Sequence, residues 1–407
     1  MASMIWSRQT DGERRLEPDE EGVTLHPLAR KTVAGTLACL ALALGLAACG
    51  SSKSNTSTSA ASTSSSNAAK VDKAAADTAI QPYIGHPSAF PVTENLKKVP
   101  KGATIAFSDC GTPICGLFWQ ILQPAAKTMG VKLKRYKTGS AASTVSSSFD
   151  TMLADKPGAV IVAGTPIDLW KNKLKGFQAA HIPVVTTGIL GTQPYGIKAA
   201  QAAEDSSNRG GKLMADYVAA NFGAGSKVAF YDTPELTFTT LTGQAFKTEL
   251  QKVCSSCSTR IVHIPITTFG NTAPNQLVSD IQAHPDTTVM VFGTDEVEAG
   301  FPAARQTAGI TKVKTLGNTP NPQGLEYVKE GKTNAVLGVD LPVLTWVLLD
   351  QAARQMAGQS LSGDEAKGLP VLQFLTQKDM KFDPSKGWTG YPDFTQRFAK
   401  LWGVGGG

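Results

Sequence analysis

The chain has 407 residues, and its six cysteines and five histidines carry most of what it could offer to metal ligation, redox exchange or nucleophilic attack. The histidines, His26, His86, His181, His263 and His284, are dispersed. No HExxH, GxSxG or GxxxxGK[ST] run accompanies them, so no zinc protease, hydrolase elbow or phosphate loop is written into the sequence. Cys254 and Cys257 in "CSSC" have the spacing of a redox pair, but they close a helical pattern ahead of a strand. A helix start, where the dipole lowers a thiol pKa, would suit redox work better. The C-x4-C spacing of Cys110 and Cys115 fits no common zinc site. Neither metal nor cofactor is expected, and the chain is not read as an enzyme. Other polar residues stand at the ends of apolar runs. "TIAFSD" closes on Asp109 and "KVAFYD" on Asp232, while "VIVAGTPID" and "VMVFGTDEV" break at Gly164-Thr165 and Gly293-Thr294. Hydroxyls and carboxylates so placed suit hydrogen bonding to a small polar guest.

These exits recur because the elements behind them recur. After each opening strand comes an amphipathic helical stretch, "FWQILQPAAKTMG" or "TGQAFKTELQKV", with apolar residues three and four apart. A second strand follows, "VKLKRYK" or "TRIVHIPI", then another helix leading into the glycine-ended strand. Strands alternating with helices imply parallel sheets with right-handed crossovers, and near-continuous apolar strands imply cover on both faces. The fold class is therefore α/β, with two doubly wound, Rossmann-like lobes. The length also points to about two domains. In such sheets ligands bind beyond the carboxyl ends of the strands, so two facing lobes would bring both Gly-Thr exits to one cleft.

The first residues differ in character. Arg30 and Lys31 precede an uncharged, largely apolar stretch of signal-peptide rather than membrane-span length, ending in "LAAC". That ending resembles a bacterial lipobox, which implies cleavage before Cys49 and lipidation of its thiol. Residues 1–48 are read as signal. Residues 49–100 are read as the lipidated cysteine, a flexible Ser/Thr-rich tether and an extended strap lying on the body. The leader is long and acid-rich, so the start codon is placed further in. The net charge of +6 is scattered as single lysines, giving no support to a nucleic-acid surface.

With a lipobox, a serine-rich tether and tandem lobes opening on "TIAFSD" and "KVAFYD", the chain resembles type I substrate-binding lipoproteins of ABC importers, close to the ribose-binding, sugar-type group. "IPVVTTG", "AEDSSNRGGKLMADYV" and "VFGTDEVEAG" carry the resemblance most specifically, and it extends over roughly residues 101–370. It implies a three-crossing hinge, placed here near Thr187–Leu190, Asp340–Pro342 and Gly368–Val371. The N-terminal lobe is set at 101–188 plus 341–369, and the C-terminal lobe at 189–340 plus 370–407, with the C-terminal aromatics packing on the second lobe. Matching positions imply ligand contacts from Ser108, Asp109, Thr165 and Thr187 in the first lobe. Asp232, Thr240, Thr294, Asn318 and Asp340 are their counterparts in the second, with Phe118 and Trp119 as an aromatic pair. Each has a plainer role open to it: the aspartates as loop or helix caps, the aromatics as core, and Trp170 likewise. Asp295 is left out as a helix starter.

The chain departs from the family at two anchors, with Thr240 where sugar-type members commonly carry arginine, and Asn318-Thr319 near the usual aspartate. A sugar is the default solute, and a less polar one competes with it, since charge-assisted hydrogen bonds give way to hydroxyl ones. The expected partners are that solute, ABC permease subunits and the membrane through the lipid anchor, on a monomer exported to the outer face of the membrane or the periplasm. A sensor presenting its solute to a membrane receptor kinase would use the same fold. In an oxidising compartment the four cysteines left after Cys39 and Cys49 are expected to pair, Cys110 with Cys115 and Cys254 with Cys257.

Overall fold

A computed structural model describes residues 72–405. Cys49, the signal segment and most of the tether lie outside the described residues. Five parallel strands form the first sheet, in the order β2-β1-β3-β4-β5: β1 (Thr104–Asp109), β2 (Lys132–Lys137), β3 (Ala159–Ala163), β4 (Val184–Thr187) and β5 (Ala199–Gln201). The second sheet, in the order β11-β10-β9-β8-β6-β7, holds β6 (Lys227–Asp232), β7 (Ser258–His263), β8 (Val289–Phe292), β9 (Lys314–Asn318), β10 (Ala335–Val339) and β11 (Leu372–Leu375). The helices are α1 (Lys73–Ile80), α2 (Pro113–Met129), α3 (Ala142–Ala154), α4 (Leu174–Ala179), α5 (Glu204–Asn221) and α6 (Thr237–Val253). They continue with α7 (Ala273–Ala283), α8 (Phe301–Thr307), α9 (Pro322–Lys329), α10 (Leu341–Met356), α11 (Gly363–Ala366) and α12 (Phe394–Leu401).

Strand chemistry matches position in the sheet. The central strands β3 "AVIVA", β8 "VMVF" and β10 "AVLGV" are buried along their whole length, as strands covered on both faces must be. The edge strand β2 alternates lysine and arginine with Leu133 and Tyr136, which leaves its open hydrogen-bonding edge charged. α2 opens with Pro113 in its first turn and stops at Gly130, whose φ of 79° and bonds to the Ala126 and Lys127 carbonyls make a left-handed cap. α5 and α6 touch backbone to backbone at Gly211. A Cβ there would meet the Thr242 carbonyl oxygen at 2.3 Å, so no side chain fits.

The chain crosses between the lobes three times, and the details refine the sequence reading. β5 pairs with β4, so the first sheet runs on to Gln201, past the boundary expected at 188/189. The chain returns after Val339 into α10, which packs on the first lobe against α2, β3 and β4. Residues 367–371 then lead to β11, which runs antiparallel beside β10; the second sheet is thus parallel except at this edge. The strap is not wholly extended. It begins with α1, capped by the Asp72 carboxylate on the Ala75 N–H and packed against α5, before Ile84 bridges to Phe374.

The C-terminal segment corrects a further expectation. Its last helix, α12, packs on the first lobe through α2 and α10, where Trp402 stacks on Trp346 at 5.3 Å and Phe398 lies beside both. The Trp402 indole N–H donates to Asp350 at 2.6 Å, and Arg354 holds the other oxygen of that carboxylate at 2.5 Å. Asp350, Arg354 and Glu365 are buried together, and Arg354 also donates to the Glu94 carbonyl of the strap. Burial and the neighbouring Asp350 push Glu365 up to about 10, so it enters this group neutral. Helical periodicity shows that aromatics will be buried, but not against which lobe. A Trp402→Ala variant should lose about 3–5 kcal/mol of stability, the usual cost of deleting a buried indole. Urea denaturation reads it, and an unchanged midpoint would refute this docking.

Candidate ligand-binding site

The carboxyl ends of the two sheets meet at a cavity of about 90 Å3, larger than a single water needs. Four of the ligand-contact candidates line it: Phe118, Thr187, Thr294 and Asn318. Gly164 lines it as well as Thr294, so residues of the two repeated strand exits share one space. Asn318 braces the exit of β8 by donating its amide to the Gly293 carbonyl at 2.9 Å, while its own oxygen accepts from the Thr319 hydroxyl at 3.3 Å. Two non-glycine residues on the wall, Ala202 and Thr319, have left-handed backbone with φ of 50° and 56°. For a β-branched residue such as Thr319 that conformation is strained, and it occurs where the chain turns out of β9 into the cavity.

The other expected contacts are used elsewhere. Asp109 is held by Arg135 at 2.7 Å and caps the Gly111 N–H at 2.9 Å, facing a separate hollow beside Lys137. Ser108 bonds to Thr138 at 3.2 Å. Asp232 is fully buried and holds His263 at 2.5 Å. Thr165 is buried against the Ala163 carbonyl, and its own carbonyl accepts from the Trp170 indole at 3.0 Å. Trp170 itself is core, stacked on Phe149 at 4.9 Å. Trp119 points away from the cavity, against Phe107 and under the Arg135 guanidinium. Thr240 sits in the first turn of α6 but not on the cavity wall, with its buried hydroxyl unpartnered. Asp340 caps α10 at the Val343 N–H and accepts from Thr389 and Gly390, tying the C-terminal segment to a crossing. Most of these polar side chains find partners off the cavity wall; the Thr240 hydroxyl and the Asp232 Oδ2 are the exceptions among them.

Several lining residues carried no distinctive signal. Phe238 and Thr242 stand four apart on α6, and the Phe238 ring comes within 3.7 Å of where a Gly188 Cβ would be, a contact from one lobe to the other. Leu236, Leu337, Val339, Leu341 and Leu344 add apolar wall. Cys110 and Cys115 lie at bonding distance with Cα atoms 5.9 Å apart, and both line the cavity. Cys254 and Cys257 pair likewise, at 5.3 Å between Cα atoms and away from it. Among the described residues, Glu296 is the only charged one on the cavity wall. Among the described residues no group of three His, Cys, Asp or Glu is placed to hold a metal ion, and no helix is long and apolar enough to cross a membrane.

Two sheet-and-helix lobes with a cavity at their joined carboxyl edges define a bilobal binding protein. The model of the periplasmic binding protein domain matches residues 105–360, and the chain belongs to that family. The ribose import binding protein of Salmonella typhimurium is 28% identical to it over 178 residues, which cover 44% of this chain and 58% of that relative. The Escherichia coli K12 counterpart is 27% identical over the same length. The matched stretch thus spans less than two thirds of these curated relatives. Similar solved structures include an ABC sugar transporter subunit from Rhodobacter sphaeroides, at 18% identity and TM-score 0.59, covering 68% of this chain and 99% of that one. A periplasmic solute binding protein from Actinobacillus succinogenes with bound D-allose also has TM-score 0.59 at 18% identity, covering 69% and 99%. One from Burkholderia graminis in complex with D-arabinose has TM-score 0.61 at 14% identity, covering 70% and 98%. At these identities the structures speak for the fold.

Acidic side chains crowd the exit of β8. Burial pushes Glu296 and Glu298 up to about 7, and burial with the neighbouring Glu298 raises Asp295 well above the usual carboxylate range. Burial likewise takes Asp340 to about 7. In the unfolded chain such groups ionise near pH 4. The native state therefore holds their protons more tightly, and their contribution to stability is fully present below about pH 4 and lost as pH rises through 7. The melting temperature should fall between pH 5.5 and 8, and Glu298→Gln, which keeps the acceptor for Thr333, should reduce that slope. A calorimetric pH series checks this, and an unaltered slope in the variant would contradict it.

Proposed function

We propose that this protein is an extracytoplasmic solute-binding protein that captures a small molecule of the sugar kind between its lobes and delivers it to an ABC permease. The observation that carries the reading is the single cavity walled by Phe118, Thr187 and Gly164 from one lobe and by Thr294 and Asn318 from the other. A solute that touches both walls stabilises the closed arrangement over the open one, and by linkage its binding and the closure are one equilibrium. Phe118 and Phe238 offer ring faces to the apolar side of a pyranose or furanose, and the hydroxyls of Thr187 and Thr294 offer hydrogen bonds to its rim. The names of the relatives, with ribose import, D-allose and D-arabinose among them, support a sugar. In this reading Cys49 carries the lipid that holds the protein at the membrane, and the permease recognises the closed form.

Titration calorimetry of residues 72–405 against ribose, arabinose, allose and the corresponding alditols tests the assignment. At least one should bind with a submillimolar Kd, and Thr294→Ala should weaken that binding about tenfold, or roughly 1.4 kcal/mol. Binding by none of them would contradict sugar capture.

A further inference from the structure

Glu296 joins the lobes from the cavity wall. It stands just beyond β8 of the second lobe, and its Oε1 accepts the Ile114 N–H at 3.1 Å from the first turn of α2 in the first lobe. A helix N-terminus presents unpaired N–H groups and a positive dipole end, so it is a suitable place for a carboxylate. The residue is 5% exposed, and its Oε2 has no hydrogen-bond partner. Leaving a carboxylate oxygen dry and unpaired costs free energy, and here that oxygen belongs to a side chain on the cavity wall. Among the described residues no lysine, arginine or histidine lines the cavity. The charged and titratable groups nearest it on its own turn are Asp295 and Glu298, both acidic. On α2, the only charged side chain is Lys127, in the last turn and remote from Ile114.

We propose that Glu296 determines which solutes the cleft accepts, by taking a hydrogen bond from a donor on the ligand, an ammonium or a hydroxyl, and by excluding anionic ones. The inference rests on the reading of the cleft as a solute site. One oxygen of the carboxylate is committed to the other lobe and the second to the guest, so the same side chain senses the solute and holds the closed arrangement together. A sugar acid would place its carboxylate against Glu296 with no cation to separate them. An amino sugar, or a sugar hydroxyl at the same carbon, would supply the missing donor.

The test is a titration series at pH 8, where Glu296, pushed up to about 7 by burial, is ionised, with a neutral sugar, its amino counterpart and its sugar-acid counterpart against wild type, Glu296→Gln and Thr294→Ala. Glutamine keeps an acceptor for Ile114 while replacing the unpartnered Oε2 with an amide donor. Wild type should bind the sugar or the amino sugar at least a hundredfold more tightly than the acid. Glu296→Gln should lose tenfold or more on the first two and narrow the gap to the acid, whereas Thr294→Ala should weaken all in similar proportion. A wild type that prefers the acid, or a Glu296→Gln variant that ranks and binds the three as wild type does, overturns the proposal while leaving solute capture intact. Failure of all three to bind wild type counts against solute capture itself, and this inference falls with it. The wild-type ranking needs no variant, so a Glu296→Gln protein that misfolds leaves the decision in place.

Discussion

Removing a carboxylate from water costs several kcal/mol unless hydrogen bonds replace the lost hydration, and the arrangement at the cleft is shaped by that constraint. Where strands end, backbone and side-chain polar groups converge, and each must find a partner within its own lobe, across the cleft or on a guest. Asp109 and Asp340 find theirs locally, in Arg135 and the α10 cap, and Asp232 finds one in His263 with its Oδ2 left unpartnered. Glu296 finds half of its own on the opposite lobe. Of these four, Glu296 alone stands on the cavity wall, where its free oxygen has capacity left for a ligand.

The elements behind the cleft keep it in register. Gly211 brings α5 and α6 into backbone contact, the Asn318 amide fixes the Gly293 turn, and the Cys110–Cys115 pair holds the loop after β1 against Gly164. Farther back, the Asp350–Arg354–Glu365 group links α10, the strap and the C-terminal helix through Glu94 and Trp402. The segments outside the repeated lobes thus brace the first lobe and one crossing of the hinge. In the proposed capture by closure, motion between open and closed forms would be left to the short crossings near Gln201, Asp340 and Gly368.

Much of this is visible in the sequence because it depends on period. Alternating strand and helix patterns give two α/β lobes, and glycine followed by threonine after an apolar run marks the strand exits at Gly164 and Gly293. Which exit residues face the cavity is a matter of a single turn of backbone. Asp109 and Thr112 are three apart, yet Arg135, on the neighbouring strand, draws the first away while the second lines the wall. No local pattern encodes a partner supplied by another strand. Glu296 escaped for a related reason: a run of acids after a strand reads as the start of a helix, and only the approach of α2 gives one of them a different task. The docking of Trp402 on the first lobe was hidden likewise, because amphipathicity reports burial without its address.

The central claim is that these lobes close on a solute, and the distance between spin labels on exposed positions at the two strand-exit edges, Lys137 and Thr267, measures it most directly. With a binding sugar added, the distance distribution should narrow and shift to the shorter value expected for the closed cleft. A distribution that is the same with and without saturating solute would contradict capture by closure.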